Sequence, residues 1–486
     1  MHNHRSLSAF LVLTALAGIT RADPAPRLKA SWNEKNARVV IFSPDGRSLV
    51  SSGGGGYRLR DAGTGAVRAV LATDPGQFYG AVFSPDGRSL YAKVNSDRHK
   101  PVGVFDLKVW EVATGKEYAT LPYISEHFYG GTEDFALSGD GKALAFLDNS
   151  ERLPMEVKSS KFVLDGRFEG TVVYNVSKGL PRVKIWDVPA WKERATVDGG
   201  APMVFSPDGA TLVTGARDWH DPTAKVWDAS TGRPRAAFDS GGPWMKPLVF
   251  SPDGKSLAIG TGKGQVLYEF AGGRKWPVAA FGNAYDAPVF SPDGRLLFPN
   301  GLRRMDPSIG RSEGYYAYDL SELPPKLLEL ESAELAISPD GRRYAALRGK
   351  VGSGGPFTVS LHDLPSLHET GQYELTGLVG AGFSPDGRWL ALMAYRHETM
   401  TSGPESRRVM ETRSFLEIRL LDPATARVPA TIPSPGQTWG NYGWKFSPDG
   451  KSLAVDYRTG SNAYRPGDPD PLDRPMNVDI WELPPR

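Results

Sequence analysis

The tetrapeptide Ser-Pro-Asp-Gly recurs eight times along 486 residues: at Ser43–Gly46, Ser84–Gly87, Ser206–Gly209, Ser251–Gly254, Ser291–Gly294, Ser338–Gly341, Ser384–Gly387 and Ser447–Gly450. A ninth copy, Ser138-Gly139-Asp140-Gly141, changes only the proline. A short apolar run precedes each copy, such as Val39-Val40-Ile41-Phe42, and another follows, such as Ser256-Leu257-Ala258-Ile259. The chemistry is that of a tight turn. Serine bonds back to the turn, proline presets φ, aspartate tolerates the next position, and glycine takes the left-handed conformation that follows. Two apolar runs joined this way make a β-hairpin. The chain therefore reads as nine units, each opening with strands A and B.

A second column holds the same register. Downstream of each hairpin a third strand, C, ends in an acid: Asp61, Glu111, Asp187, Asp228, Glu269, Asp319, Asp363, Asp422 and Glu482. The residues before them are Arg60, Trp110, Trp186, Trp227, Tyr268, Tyr318, His362, Leu421 and Trp481. A short turn such as Ala229-Ser230-Thr231-Gly232 then leads to strand D, as in Arg235-Ala236-Ala237-Phe238. Composition agrees with an all-β chain. Glycine (55) and proline (40) make up about a fifth of it, while 40 % is hydrophobic, enough to rule out disorder. The absence of cysteine excludes disulfides, thiolate catalysis, cysteine–zinc sites and iron–sulfur clusters.

The Trp-Asp pairs at 186–187 and 227–228, with Trp-Glu at 110–111 and 481–482, resemble the WD-repeat family of β-propellers. The Phe-Ser-Pro-Asp-Gly hairpins resemble bacterial exported WD-repeat proteins and, more weakly, Tol-type envelope propellers. The resemblance covers about residues 28–484. It departs from the family in lacking the Gly-His pair before strand A and, in five units, the strand-C tryptophan. It implies a single propeller of nine four-stranded blades, with eight and one displaced unit as the alternative. The last unit stops after strand C, and a spare strand, Leu28–Trp32, precedes the first unit. That strand is expected to complete the last blade and remove an exposed edge.

Loop lengths divide the two faces of the disc. A–B and C–D turns are short throughout and share one face, which is expected to be plain. The B–C connections on the other face vary widely. Long ones fall at 94–106, 149–181, 396–413 and 458–477, in units two, three, eight and nine, and an intermediate one at 300–314. In a closed ring units eight, nine, one, two and three are neighbours, so the long loops form a crescent around the short glycine loop 53–56. Long loops in compact domains are where binding concentrates. The D–A segments on this face hold aromatics beside glycine, at Phe78-Tyr79-Gly80, Phe128-Tyr129-Gly130 and Trp439-Gly440-Asn441-Tyr442-Gly443. Flat rings presented in this way suit contact with a protein or peptide, and interblade packing is the competing explanation. Candidate partner-binding residues are accordingly Phe78, Tyr79, Phe128, Tyr129, Trp439 and Tyr442, with Arg407 and Arg408 on the rim.

Catalytic and metal motifs are sparse. Gly310-Arg311-Ser312-Glu313-Gly314 has the spelling of a nucleophile elbow but no helix pattern after it. Gly260–Gly264 lacks the spacing of a phosphate loop and reads as a hairpin turn. Asp468, Asp470 and Asp473 cluster, but intervening prolines hold that loop extended and no calcium-loop frame is present. The histidines show no close metal-ligand spacing, so no metal, cofactor or catalytic residue is expected. Residues 1–22 have a basic start, an apolar core Leu7–Ile19 and small residues at Thr20 and Ala22, the pattern of a cleaved secretory signal. Residues 23–486 then form the propeller domain. Losing Arg5 and Arg21 leaves 55 basic against 55 acidic residues, which favours neither nucleic acid nor an anionic membrane. The expectation is a monomeric, exported, non-enzymatic scaffold for a protein or peptide, periplasmic or extracellular and bacterial. A propeller hydrolase or lyase with an axial site, or a Tol-like envelope component, is the alternative.

Overall fold

The computed structural model describes residues 25–35, 37–53, 56–72, 78–94, 104–124, 135–148, 155–164, 168–177, 182–216, 221–240, 248–261, 264–279, 288–298, 315–322, 324–330, 335–348, 356–402, 409–433, 438–459 and 475–485. Nine four-stranded antiparallel sheets follow one another along the chain, and no helix occurs among the described residues. In blade one the strands are Arg38–Phe42, Ser48–Gly53, Gly56–Asp61 and Val67–Ala72, paired in that order. Blades two to eight repeat the order within 78–124, 135–197, 200–239, 248–279, 289–330, 335–376 and 378–432. Strands A of neighbouring blades pack against one another, whereas a D strand such as Pro234–Asp239 is almost wholly exposed. Strand A therefore lines the axis and strand D the rim.

Blade nine supplies only three strands of its own, Thr438–Phe446, Ser452–Thr459 and Pro475–Glu482. Its fourth is Arg27–Lys35, paired from Arg27↔Glu482 to Lys35↔Pro475. The ring is thus a nine-bladed propeller closed by the N-terminal strand, as the truncated last unit requires.

Each blade buries its apolar residues against the next one. The described residues form nine apolar clusters, one at each blade–blade boundary, including the boundary between blade nine and blade one. Seven of the nine residues ahead of the strand-C acids belong to these seams. Trp110 packs toward blade one, Trp227 toward blade three and Tyr268 toward blade four. In blade four Trp227 Nε1 donates to Thr214 Oγ1 at 3.0 Å. Blade one has Arg60 in this place, and its Nε donates to Ser51 Oγ at 2.8 Å. The aromatic ring comes instead from the closing strand, where Trp32 lies 4.7 Å below the guanidinium.

The recurrent tetrapeptide does more than reverse the chain. In every copy the serine Oγ donates to the aspartate Oδ1, as Ser84 does to Asp86 at 2.6 Å, and accepts the N–H five residues on wherever that bond is described. The serine hydroxyl and then the backbone N–H two residues on hold the carboxyls of Asp86, Asp140 and Asp208 below the usual carboxylate range. All nine glycines have φ between 66° and 72°. Each also lies against the turn of the preceding blade: Gly87 against Pro44 and Asp45, Gly209 against Ser138, Gly341 against Ser291, and Gly46 against Ser447 and Asp449. The nine turns form a closed belt around the axis; glycine takes the left-handed φ in all of them and, at Gly341 and Gly450, also allows the close approach.

Candidate functional site

The face opposite the belt carries the irregular connections. Two of them are strands rather than loops. Residues 149–181 of blade three contain a separate two-stranded ribbon, Met155–Leu164 with Phe168–Ser177. In blade eight, strands B and C run far beyond their sheet. Strand A stops pairing at Ala394 and strand D at Ile418, but B and C stay paired out to Ser402↔Val409. The expected loop 396–413 is therefore mostly a projecting ribbon, built because its backbone groups satisfy one another without a third strand. On it His397 Nδ1 and Ser414 Oγ share a hydrogen bond of 2.9 Å. The Arg396 guanidinium lies 5.0 Å from the Phe415 ring and pairs with Glu398 and Glu417.

Four of the aromatic candidates fall inside strand A instead of a D–A connection. Phe78 pairs with Val94, and Tyr79 sits at the register shift before Gly80. Trp439 pairs with Arg458, and Tyr442 lies in the irregularity that ends at Gly443. The strands reach further toward this face than loop length implies, because a bulge accommodates the extra residues without ending the ladder. Phe128, Tyr129, Arg407 and Arg408 lie outside the described residues, as do Gly310–Gly314 and Asp468–Asp473. Gly260–Gly264 is a B–C hairpin, with Thr261 paired to Gly264. His362 is buried, stacked on Tyr344 at 4.6 Å and hydrogen-bonded to Ser360, which is a packing role. Among the described residues no cluster of three histidines or carboxylates is placed to hold a metal ion.

Sequence reasoning missed a buried charge at the seam between the last and first blades. Ala454 belongs to the apolar cluster shared with blade one, and Asp456, two residues on, points the same way. Asp456 is 4 % exposed. Burial pushes its carboxyl up to about 6, against the pull of Arg38 and Lys445 and of the backbone N–H groups of Val39 and Gly443. Its Oδ2 completes no hydrogen bond among the described residues. A lone acid inside the strand-B run Leu453-Ala454-Val455-Asp456-Tyr457 was the available signal. Next to it, Tyr457 donates to Asp479 Oδ2 at 2.7 Å, and burial raises the phenol further.

The belt face, expected to be plain, is uniform in its turns but not in its relief. Across blades six, seven and eight it carries an open groove of about 1130 Å³. Arg295, Arg342, Arg343 and Arg388 line it together with Asp293, Asp340, Asp363 and Asp386. Arg295 clamps Asp319 through Nε and Nη2 at 3.3 and 3.0 Å. Partial burial opposes ionisation of Asp319, but that guanidinium and the Ser321 donors bring its carboxyl down to about 2.

A sequence search of curated proteins returned no match. Among solved structures the chain is similar to Kuenenia stuttgartiensis hydrazine synthase, at 16 % identity and a TM-score of 0.36, over 65 % of this chain and 92 % of that one. No helix among the described residues is long and apolar enough to cross a membrane. Residues 201–228, strands A to C of blade four, match the family described as WD domain, G-beta repeat, and they lie within a nine-bladed propeller.

Proposed function

We propose that the protein is an exported, non-enzymatic scaffold that binds a protein or peptide on the face carrying the B–C connections, around blades eight, nine, one, two and three. The observation behind this reading is the pair of ribbons that leave the ring on that face, from blades three and eight. Among the described residues the strands of each ribbon pair only with one another beyond the blade sheets, and the outer edges of such a ribbon suit pairing with a partner strand. The aromatic residues Tyr79, Tyr129 and Tyr442 and the basic pair Arg407 and Arg408 are the contacts proposed for that partner, and residues 1–22 are proposed as the signal that exports the chain.

The test is capture of a partner from bacterial envelope extract, followed by two shortened variants. One replaces residues 398–413 and the other residues 155–177 with short glycine–serine turns. Both are expected to keep the wild-type melting temperature and to lose the captured partner. Tyr79→Ala, Tyr129→Ala and Tyr442→Ala should each weaken binding by more than about 1 kcal/mol if they are hot spots. Full retention of the partner by both shortened variants would show that the ribbons are not its site.

A further inference from the structure

We propose that the groove on the belt face is a second docking surface, for an extended peptide segment that alternates carboxylate and apolar side chains. The charge of its lining is even, four arginines against four aspartates. The hydrogen-bonding balance is not. Asp293, Asp340 and Asp386 each spend Oδ1 on their own turn, accepting from the serine hydroxyl and from a backbone N–H. A guanidinium carries five N–H donors. Arg343 uses two groups, Nε to Asp363 at 3.2 Å and Nη1 to the Pro423 carbonyl at 3.1 Å. Arg388 uses Nε on Asp386. The exposed Arg342 donates no side-chain hydrogen bond to the described residues. Most of the guanidinium donors in the groove are therefore unspent, and carboxylates are the acceptors that match their planar fork.

Two of the arginines, Arg295 and Arg343, are also held in place before any ligand arrives. Asp319, 8 % exposed, fixes Arg295, and the Pro423 carbonyl fixes Arg343 from the neighbouring blade. Such anchoring lowers the entropy lost on binding. Blade seven alone doubles the basic residue after its turn, as Arg342-Arg343. The other blades have Ser, Ala, Thr, Leu or Trp at the second place. Pro339, Pro365, Pro385 and the half-buried Phe383 line the same groove and supply apolar surface. A lining that mixes guanidinium and apolar surface fits a peptide better than a uniformly polar anionic polymer. The groove spans three blades and exceeds the roughly 300–1,000 Å³ of ordinary small-molecule sites, which again suits an extended chain.

Fluorescence anisotropy with a labelled eight-residue peptide of Glu, Leu and Pro tests the assignment. The comparison probes are its Gln analogue, an oligogalacturonate and a single-stranded DNA oligonucleotide. The Glu peptide should bind and the Gln analogue should bind at least about tenfold more weakly, as loss of charge-assisted bonds requires. Arg342→Glu should weaken the Glu peptide by about tenfold or more. Arg342→Gln, which removes charge from a side chain the fold does not use, should do the same to a smaller extent. Equal binding of the Gln analogue, no effect of either substitution, or tighter binding of the sugar or DNA would overturn the proposal. The variant lacking residues 398–413 should bind the Glu peptide unchanged, so failure of the opposite-face reading leaves this result standing.

Discussion

Asp456 ties a single ionisable group to the stability of the closed ring. Its carboxyl titrates near 6 in the folded protein, against 3.8 for the ordinary side chain, because burial disfavours the charged form. The folded state therefore holds the proton more tightly than the unfolded state. Stability from this group is fully present below about pH 3.8 and is lost as pH rises through 6. The shift corresponds to at most roughly 3 kcal/mol. Asp456→Asn keeps an acceptor for Val39 and Gly443 and removes the charge. It should raise the melting temperature at pH 8 and leave it nearly unchanged at pH 4; an equal shift at both would exclude this carboxyl as the cause. Glycine in the belt is a second residue-scale determinant. A Cβ on Gly341 would lie 2.6 Å from Ser291 Cβ, an atom that cannot swing away, whereas one on Gly294 would meet only Pro252 at 3.6 Å. Both substitutions carry left-handed strain of about 1–2 kcal/mol. Gly341→Ala should cost about 1–3 kcal/mol more than Gly294→Ala from overlap, read by urea denaturation. Equal costs would mean that the belt turns do not press on one another.

At the scale of the element, the closing strand Arg27–Lys35 is held by more than its ladder. Glu34 Oε1 receives Arg60 Nη2 at 2.5 Å and Glu34 Oε2 receives Arg58 Nη1 at 3.2 Å, and Trp32 carries the Arg60 guanidinium on its face. Arg60 is 4 % exposed, so removing its acid leaves a buried cation with only the neutral partners Ser51, the Gly65 carbonyl and the Trp32 ring among the described residues. Glu34→Ala should therefore destabilise by about 1.5–3 kcal/mol. Deleting residues 27–35 should do more, since it bares the strand-C edge and the apolar Met476, Val478 and Ile480 beneath it. Aggregation on size exclusion is the expected outcome, and a monomer with the wild-type melting temperature would refute closure by this strand. The position of this strand was legible because the last unit visibly lacks a fourth strand. The blade-eight ribbon was not, because residues 396–413 are rich in Glu, Arg, Thr and Ser and lack an apolar face to mark the alternation. A run without apolar alternation leaves no hydrophobic period to read.

For the whole molecule, the two faces of the ring have different physical origins. One is a belt in which nine copies of a four-residue turn lie one against the next; the other is where chain length varies, with ribbons leaving blades three and eight. Binding measurements on the ribbon and groove variants separate the two faces, because no residue changed in one set lies on the other. By itself the sequence determined the hairpins, the number of blades, the strand-C column and the closing strand. Those rest on turn chemistry acting within about five residues and on apolar periodicity, both local. The tertiary structure alone decided that Arg60 finds its aromatic partner in Trp32, that Asp456 faces Val39, and that arginines of blades six, seven and eight share one groove. Those neighbours come from different blades or from opposite ends of the chain. Which side chains meet there is set by how closely the blades pack once the ring has closed, a distance that no local pattern encodes.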